Sequence, residues 1–317
     1  MAIQLRPLGF GEMLDQTFNI YRRNFGLFLG VSILPPIVAL LVAAAVAVLA
    51  VFGIGMATLK DIDHLSITVI AGLAVVGVVL LLIYYTTMVL SQAASIRAVS
   101  EVYLGRQTTI SESFSSAFRR LGPLLLITIS VTLIAFLPMI VPAALGVTAF
   151  FMGKADNTAA AVILGIVAFL TLMAAWVYMV FIVLRYLLAI PSCVIENRTT
   201  AEALHRSAFL MKGNYFRALG ILVLIGLLGA LIAWALQIPT VILSLLLAKT
   251  SVPWLGTVVS QLVQFAASAF IAPLGTIAHA LIYYDARIRK EAFDIELMMR
   301  EADGEVPQNQ TPAPNFG

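Results

Sequence analysis

The chain alternates between long apolar stretches and short charged segments. When every Asp, Glu, Lys and Arg is taken as a boundary, six uncharged stretches remain, each longer than the roughly 20 residues with which a helix crosses about 30 Å of hydrocarbon. Because hydrocarbon offers the backbone no hydrogen-bond partners, runs of this length predict transmembrane helices rather than barrel strands. We therefore predict an all-α integral membrane protein with six spans. The stretches are 24–59, 65–96, 121–153, 157–184, 218–248 and 250–284.

Several prolines lie inside these stretches and predict kinks, because proline has no backbone N–H to donate. A broken helix can mark the binding site of a transporter, but it can equally be a packing kink without a ligand. The prolines are Pro35, Pro36, Pro138, Pro142, Pro239 and Pro273.

Basic residues are distributed unequally between the two ends of the predicted spans. Sixteen of the 19 Lys and Arg residues lie in the N-terminal arm, near the loops after the second and fourth spans, or after the sixth span. The other three loops contain only Lys60, Lys154 and Lys249. By the positive-inside rule, both termini are predicted to be cytoplasmic. The polar, proline-bearing segment 302–317 is expected to be a disordered cytoplasmic tail.

The segments before the first, third and fifth spans resemble one another. Thr109-x-x-Glu112 and Thr199-x-x-Glu202 have the form of capping boxes, in which hydroxyl and carboxylate satisfy the free N–H groups at a helix start. Gly9-x-x-Glu12 has the same register, with glycine as a weaker cap. An apolar stripe at i, i+4, i+7 and i+11 follows each glutamate and predicts an amphipathic helix. The stripes are Leu14, Phe18, Tyr21, Phe25; Phe114, Phe118, Leu121, Leu125; and Leu204, Ala208, Met211, Tyr215.

This similarity predicts an internal repeat of about 95 residues. The units are 9–97, 109–195 and 199–285, within one membrane domain covering 1–301. Each unit is predicted to be a cytoplasmic interfacial helix followed by a helix hairpin, so the three hairpins have parallel topology. The alternative is that cytoplasmic helices before spans are commonly amphipathic and basic. Candidate contacts for anionic headgroups are Arg22, Arg23, Arg119, Arg120, Lys212 and Arg217.

Composition supports the membrane assignment and excludes several functions. Hydrophobic residues make up 61% of the chain and charged residues 11%, too few charges for a soluble domain. The net charge of +3 gives no reason to expect nucleic acid binding. Cys193 is the single cysteine, and the three histidines lie far apart, so we predict no disulfide, no metal site and no cofactor.

Three groups of residues carry a resemblance to a known family. They are Leu5-Arg6-Pro7-Leu8 with Gly11-Glu12 and Tyr21-Arg22-Arg23-Asn24-Phe25; Pro191, Glu196-Asn197, Glu202-Ala203-Leu204 and Lys212-Gly213-Asn214-Tyr215; and Tyr283-Tyr284-Asp285 with Arg287 and Arg289-Lys290-Glu291. Together they resemble the glycerophosphoryl diester phosphodiesterase membrane-domain family, bacterial multi-span proteins whose biochemical role is poorly defined. The resemblance implies location in the plasma membrane.

The family takes its name from chains that fuse this region to a soluble phosphodiesterase barrel. Such a barrel needs about 250 residues and a catalytic set of histidines and carboxylates. The predicted cytoplasmic loops are short and contain a single histidine, His205. The resemblance is therefore not extended to phosphodiesterase activity.

Polar residues inside the spans are the remaining places to look for function. A stripe in the sixth span predicts either a polar pocket or pore between units, or hydrogen bonds between helices. Arg185 near the inner end of the fourth span is either an anion contact, a partner of Glu196, or a side chain that reaches the headgroups. The stripe comprises Gln261, Gln264, Ser268, Gly275 and His279.

Three functions fit these features. The leading hypothesis is a non-enzymatic protein that organises a membrane complex or lipid environment, with membrane lipids and a soluble or membrane protein as partners. A transporter or channel for a small polar or amphiphilic solute is the alternative. A lipid-modifying enzyme is the third and is supported only by the family's name. The absence of carboxylates inside the six stretches, and of His-Glu-x-x-His and Gly-x-Ser-x-Gly motifs in the sequence, argues against it.

Overall fold

The protein is a bundle of α-helices. A computed structural model describes residues 8–59, 67–155, 157–250 and 252–291, and none of these residues lies in a strand. The predicted tail, 302–317, lies outside the described residues. The helices are α1 (Phe10–Arg23), α2 (Phe25–Ser32), α3 (Leu34–Leu59), α4 (Ile67–Tyr103), α5 (Ile110–Phe118), α6 (Leu121–Phe136), α7 (Ile140–Lys154), α8 (Thr158–Arg185), α9 (Ala189–Ile195), α10 (Thr200–Met211), α11 (Tyr215–Leu247) and α12 (Pro253–Glu291).

Among the described residues, six helical segments are long and apolar enough to cross a membrane, consistent with the predicted all-helical, multi-span fold. Consecutive spans pack against each other in pairs, α3 with α4, α7 with α8, and α11 with α12. The segments are Phe25–Val46, Ala74–Tyr103, Leu121–Lys154, Thr158–Ile195, Tyr215–Leu247 and Trp254–Glu291.

The prolines interrupt two spans and leave two continuous. The first span divides at Ile33, so that Pro35 lies in the first turn of α3, where a missing N–H costs no helical hydrogen bond. Between α6 and α7 the chain forms a short 3₁₀ helix, Leu137–Met139, around Pro138. Pro239 and Pro273 remain inside α11 and α12.

The helices α1, α5 and α10, here called the leading helices, each precede an outgoing span. In each, the glutamate three residues after the helix cap folds back onto the backbone N–H of the cap residue. The distances are 2.8 Å for Glu12 and 3.0 Å for both Glu112 and Glu202. Thr109 completes the exchange in α5, since its hydroxyl accepts the N–H of Glu112 at 3.2 Å. Each carboxylate thus satisfies a donor that the helix itself leaves free.

The buried face of the leading helices lies one residue earlier than the apolar stripe described above. Phe18 and Phe118 of that stripe are 40% and 64% exposed, whereas Met211 of the same stripe is fully buried. Several of the inner positions are taken by small side chains such as Ser113 and Ala203, which allows the leading helices to approach the core closely. The buried residues are Met13, Thr17 and Ile20; Ser113 and Ala117; and Ala203, Ser207, Leu210 and Met211.

The core lies at one end of the bundle, where the leading helices and α9 pack around the ends of α4 and α12. We call this the leading-helix end. The central element is α12, because 50% of its most apolar window is buried against 11–22% for the other spans. Its Tyr283 and Tyr284 are among the largest fully buried side chains. All three predicted units therefore meet around the last helix.

Beyond this end, the spans expose a broad apolar belt. Large exposed apolar side chains begin at Ile37 on α3 and Leu126 on α6, and they end at Met88 on α4 and Phe270 on α12. An apolar surface of this extent is expected to contact lipid rather than water. The belt boundary places the end of α12 after Phe270 outside the lipid-facing region.

Candidate functional site

A cluster of charged side chains lies within the leading-helix end. Glu196, which follows α9, accepts hydrogen bonds from the Tyr283 hydroxyl at 2.5 Å and from Arg206 Nε at 3.0 Å. Arg198 Nε donates to its other oxygen at 2.5 Å. The side chain of Glu196 is only 11% exposed. With Arg287 and Glu291, these residues form what we call the ionic cluster.

Arg206 connects the two acidic residues of the ionic cluster. Its Nη2 donates to Glu291 Oε2 at 2.7 Å and its Nη1 donates to Oε1 of the same carboxylate, while Nε binds Glu196. Arg287 lies beside both acids, 3.2 Å from Glu291 and 3.9 Å from Glu196. A forked guanidinium held by two carboxylates is among the strongest hydrogen-bonding arrangements in proteins.

The environment favours the charged form of both Glu196 and Arg206. Burial alone would raise the pKa of Glu196, but hydrogen bonds from Tyr283, Arg198 and Arg206 outweigh it and hold the pKa below its usual value. Burial would lower the pKa of Arg206, and the carboxylates of Glu291 and Glu196 raise it instead. Both side chains are therefore charged at neutral pH, and the cluster is an ion-pair network.

A second set of ion pairs holds the start of the described chain. Asp285 accepts hydrogen bonds from Arg217 Nε and Arg289 Nε, both at 3.0 Å, and from the Leu8 backbone N–H at 2.9 Å. Arg217 also donates to the Leu8 carbonyl and lies over the Phe10 ring, 5.2 Å from its centroid. These contacts tie the segment before α1 to α11 and α12.

The His279 side chain contacts the backbone at the break between α8 and α9. Its Nε2 contacts the Leu187 carbonyl, and its Nδ1 lies 3.4 Å from Gln92 Nε2. Ser207 completes the arrangement, since its hydroxyl accepts the Leu188 N–H and donates to the Arg185 carbonyl, both at 3.0 Å. A helix break leaves free donors and acceptors, and these two side chains satisfy them.

The residues of the predicted polar stripe of α12 lie in different surroundings. Gln261, Gln264 and Gly275 are exposed, whereas His279 is buried at the helix break. Ser268 donates to the Phe265 carbonyl of its own helix at 2.8 Å. A pocket or pore lined by these residues, or helix contacts through them, therefore stays a prediction.

The predicted headgroup contacts fall into two groups. Arg22, Arg23, Arg119 and Lys212 are exposed at the leading-helix end. The remaining three already have partners: Arg120 donates to Asn197 Oδ1 at 3.1 Å, Arg217 binds Asp285, and Arg185 lies over the Tyr186 ring at 5.7 Å. Glu196 has three ion-pair partners among the described residues, and Arg185 is not one of them.

A groove of about 880 Å³ opens between α1 and the spans α11 and α12. Arg22, Arg23, Asp15 and Asn19 supply its polar lining, and apolar side chains such as Ile232 and Ile271 supply the rest. Groups of three or more His, Cys, Asp or Glu side chains able to hold a metal are absent from the described residues.

The acidic residues of the ionic cluster could have been found from the sequence, because they recur at the period of the predicted repeat. Glu101, Glu196 and Glu291 are spaced 95 residues apart, the length of the predicted repeat. Each lies where a returning helix ends and each binds arginine. Glu101 pairs with Arg97 at 2.6 Å. Counting acidic residues at the repeat period would have found this position.

Six apolar helices long enough to cross a bilayer, found among the described residues, define a multi-pass membrane protein. Over residues 10–302 the chain matches the family described as the membrane domain of glycerophosphoryl diester phosphodiesterase, and it belongs to that family. This confirms the resemblance seen in the sequence. The match covers the membrane domain and no catalytic domain. No curated protein and no solved structure matched the chain.

Proposed function

We propose that this protein is a non-enzymatic membrane organiser, which uses its leading-helix end as a rigid platform for a protein complex. The observation that carries the proposal is the ionic cluster, in which Glu196, Arg206 and Glu291 join α9, α10 and α12. Its charged side chains pair with one another and so connect the predicted units. Such a network favours a fixed scaffold over a reaction centre.

Two polar residues of the sixth span weaken the alternative of a solute transporter. A transporter's intramembrane charged and polar groups usually face a pathway or bind the solute. Here His279 is bound to the backbone, and Gln264 is exposed without a hydrogen-bond partner among the described residues. The polar residues of the sixth span therefore support helix packing better than a pathway.

The leading-helix end is proposed to face the cytoplasm, because the basic residues gather there. Alkaline phosphatase fused after Lys154 is expected to be active, and the same enzyme fused after Arg106 inactive. Activity of the Arg106 fusion would place the platform on the wrong side of the membrane.

The platform role is tested by photo-crosslinking in cells. A crosslinking amino acid is placed at exposed platform positions, Arg119 and Lys212, and at Trp234 in the lipid-facing belt as a control. We expect one defined crosslinked protein from the platform positions and none from Trp234. The complex that contains the crosslinked protein should also fail to assemble when the gene for this chain is deleted. Equal crosslinking from all three positions, or no dependence on the gene, would refute the platform.

Transport is tested separately with purified protein in liposomes. His279→Leu should lower the free energy of unfolding by about 1–3 kcal/mol, because it leaves the Leu187 carbonyl unpaired. Gln264→Leu should change it by less than about 0.5 kcal/mol. If wild-type protein carries a solute or ion across the bilayer and Gln264→Leu abolishes that flux without unfolding, the transporter hypothesis replaces ours.

A further inference from the structure

The groove beside α1 is unlike the ionic cluster because its positive charges are unpaired. Arg22 and Arg23 end α1, and their side chains form no ion pair or hydrogen bond within the part of the chain that the structure describes. Asp15 is the acidic side chain of the groove lining, so the two arginines leave an excess of positive charge. Exposed, unpaired arginines beside a concave surface favour an anion.

The groove is held open by aromatic contacts between α1, α2 and α12. Tyr21 donates its hydroxyl to the Phe270 carbonyl at 3.0 Å, and the Phe25 ring stacks on Phe270 with centroids 5.9 Å apart. Burial raises the pKa of Tyr21, so its hydroxyl keeps the proton that it donates. The position of α1 beside α12 is therefore set by the protein itself.

The groove also crosses the boundary of the apolar belt. Phe270, the last large exposed apolar residue of α12, lies in its wall together with Arg22 and Arg23. On α11, Gly229 lies against Ile271, and the lining residue Ile232 lies three positions farther along, about 4.5 Å deeper at 1.5 Å per residue. The groove is thus cationic where α1 ends and apolar along the facing sides of α11 and α12.

We propose that this groove binds one anionic phospholipid, with the phosphate group at Arg22 and Arg23 and an acyl chain along Ile232 and Ile271. A groove of about 880 Å³ lies in the size range of specific ligand sites, about 300–1,000 Å³. The headgroup matches the unpaired arginines, and the chain matches the apolar wall beneath them. The lipid site does not depend on the platform role, and a separate experiment tests it.

The test is native mass spectrometry of the purified full chain after removal of lipid. The protein is titrated with phosphatidylglycerol or with phosphatidylcholine of the same acyl chains. We expect one phosphatidylglycerol to be retained preferentially. The double variant R22Q/R23Q should bind it about 10–30-fold more weakly, from about 1 kcal/mol per basic residue near an anionic surface. Ile232→Trp, which fills the apolar part, should weaken binding of both lipids.

The matched control is R119Q/K212Q, which removes two exposed basic residues from elsewhere on the leading-helix end. Retention of phosphatidylglycerol should be nearly unchanged in this variant, and equal losses in both double variants would show general surface attraction and overturn the site. A phosphatidylglycerol with a photoreactive acyl chain should label α11 or α12 near Ile232 or Ile271. Displacement of the lipid by millimolar inorganic phosphate alone, or labelling elsewhere, would also overturn the proposal.

Discussion

Replacing Arg206 with alanine should destabilise the protein more than almost any other substitution of a charged residue. The change removes the three N–H donors that hold Glu196 and Glu291. It leaves two carboxylates in a region where their side chains are 11% and 22% exposed. Water cannot fully replace the lost guanidinium at these positions.

The expected magnitude follows from burial. Removing one partner of a buried ion pair costs about 3–5 kcal/mol, because an uncompensated charge stays behind. Arg287 remains 3.2 Å from Glu291 and 3.9 Å from Glu196 and offsets part of the loss. We therefore expect the free energy of unfolding to fall by about 3 kcal/mol, the lower part of that range. Arg206→Lys should fall between alanine and wild type, because it keeps the charge but loses the fork.

The chain offers a matched control at the same carboxylate. Arg198 also binds Glu196, but its side chain is 41% exposed, so Arg198→Ala should cost only about 0–1 kcal/mol. Unfolding in mixed detergent micelles, followed by far-ultraviolet circular dichroism, gives both values. The reasoning is refuted if Arg206→Ala lowers the free energy of unfolding no more than Arg198→Ala does. It is also refuted if high salt reduces the two costs to the same extent.

Three further predictions concern other parts of the fold. The folded-state pKa of Glu196 is lowered, so its contribution to stability is complete above the unfolded value of about 4.3 and is lost as pH falls through the folded pKa; the stability difference between wild type and Glu196→Gln should shrink over that range. Thr109→Ala should cost about 1 kcal/mol and Thr109→Gly only a few tenths, measured by the same unfolding assay. Gly256→Ala should cost about 1–3 kcal/mol, because its Cβ would lie 2.7 Å from Ser244 Cα, whereas Gly226→Ala meets nothing within 4 Å and should stabilise α11 by up to about 1 kcal/mol. A destabilised Gly226→Ala would contradict the packing.

The spans could be predicted from the sequence because lipid imposes one simple rule, a long uncharged run. The helix that matters most for the site, α12, shows why the rest could not. Its uncharged stretch ends at Tyr284, yet the helix continues through Asp285 to Glu291, where its charges face other helices. An apolar run reports that a segment avoids water, and it does not distinguish burial in lipid from burial in protein.

The leading helices illustrate the same limit on a smaller scale. Spacing of i, i+4, i+7 and i+11 identifies a helical face, but two neighbouring faces of α1 both satisfy it. The predicted stripe of the interfacial helix contains Phe18, which is 40% exposed, and the face buried against protein contains Met13 and Thr17. Bulk favours the first face from sequence alone. Close packing against α12 and α4 selects the second, and only tertiary structure supplies that constraint.

The predicted repeat can be compared with the ionic cluster, in which the last helix occupies a central place. If three units were equivalent, the glutamates at the repeat period would have equivalent partners. Glu101 instead pairs with Arg97 and Arg106 of its own neighbourhood, while Glu196 and Glu291 share Arg206. The sharing draws α12 between the other units, where Tyr283 and Tyr284 fill the space. An axial passage between three equal hairpins is thereby disfavoured, and sites for ligands are expected at the sides of the bundle, where α1 meets the lipid.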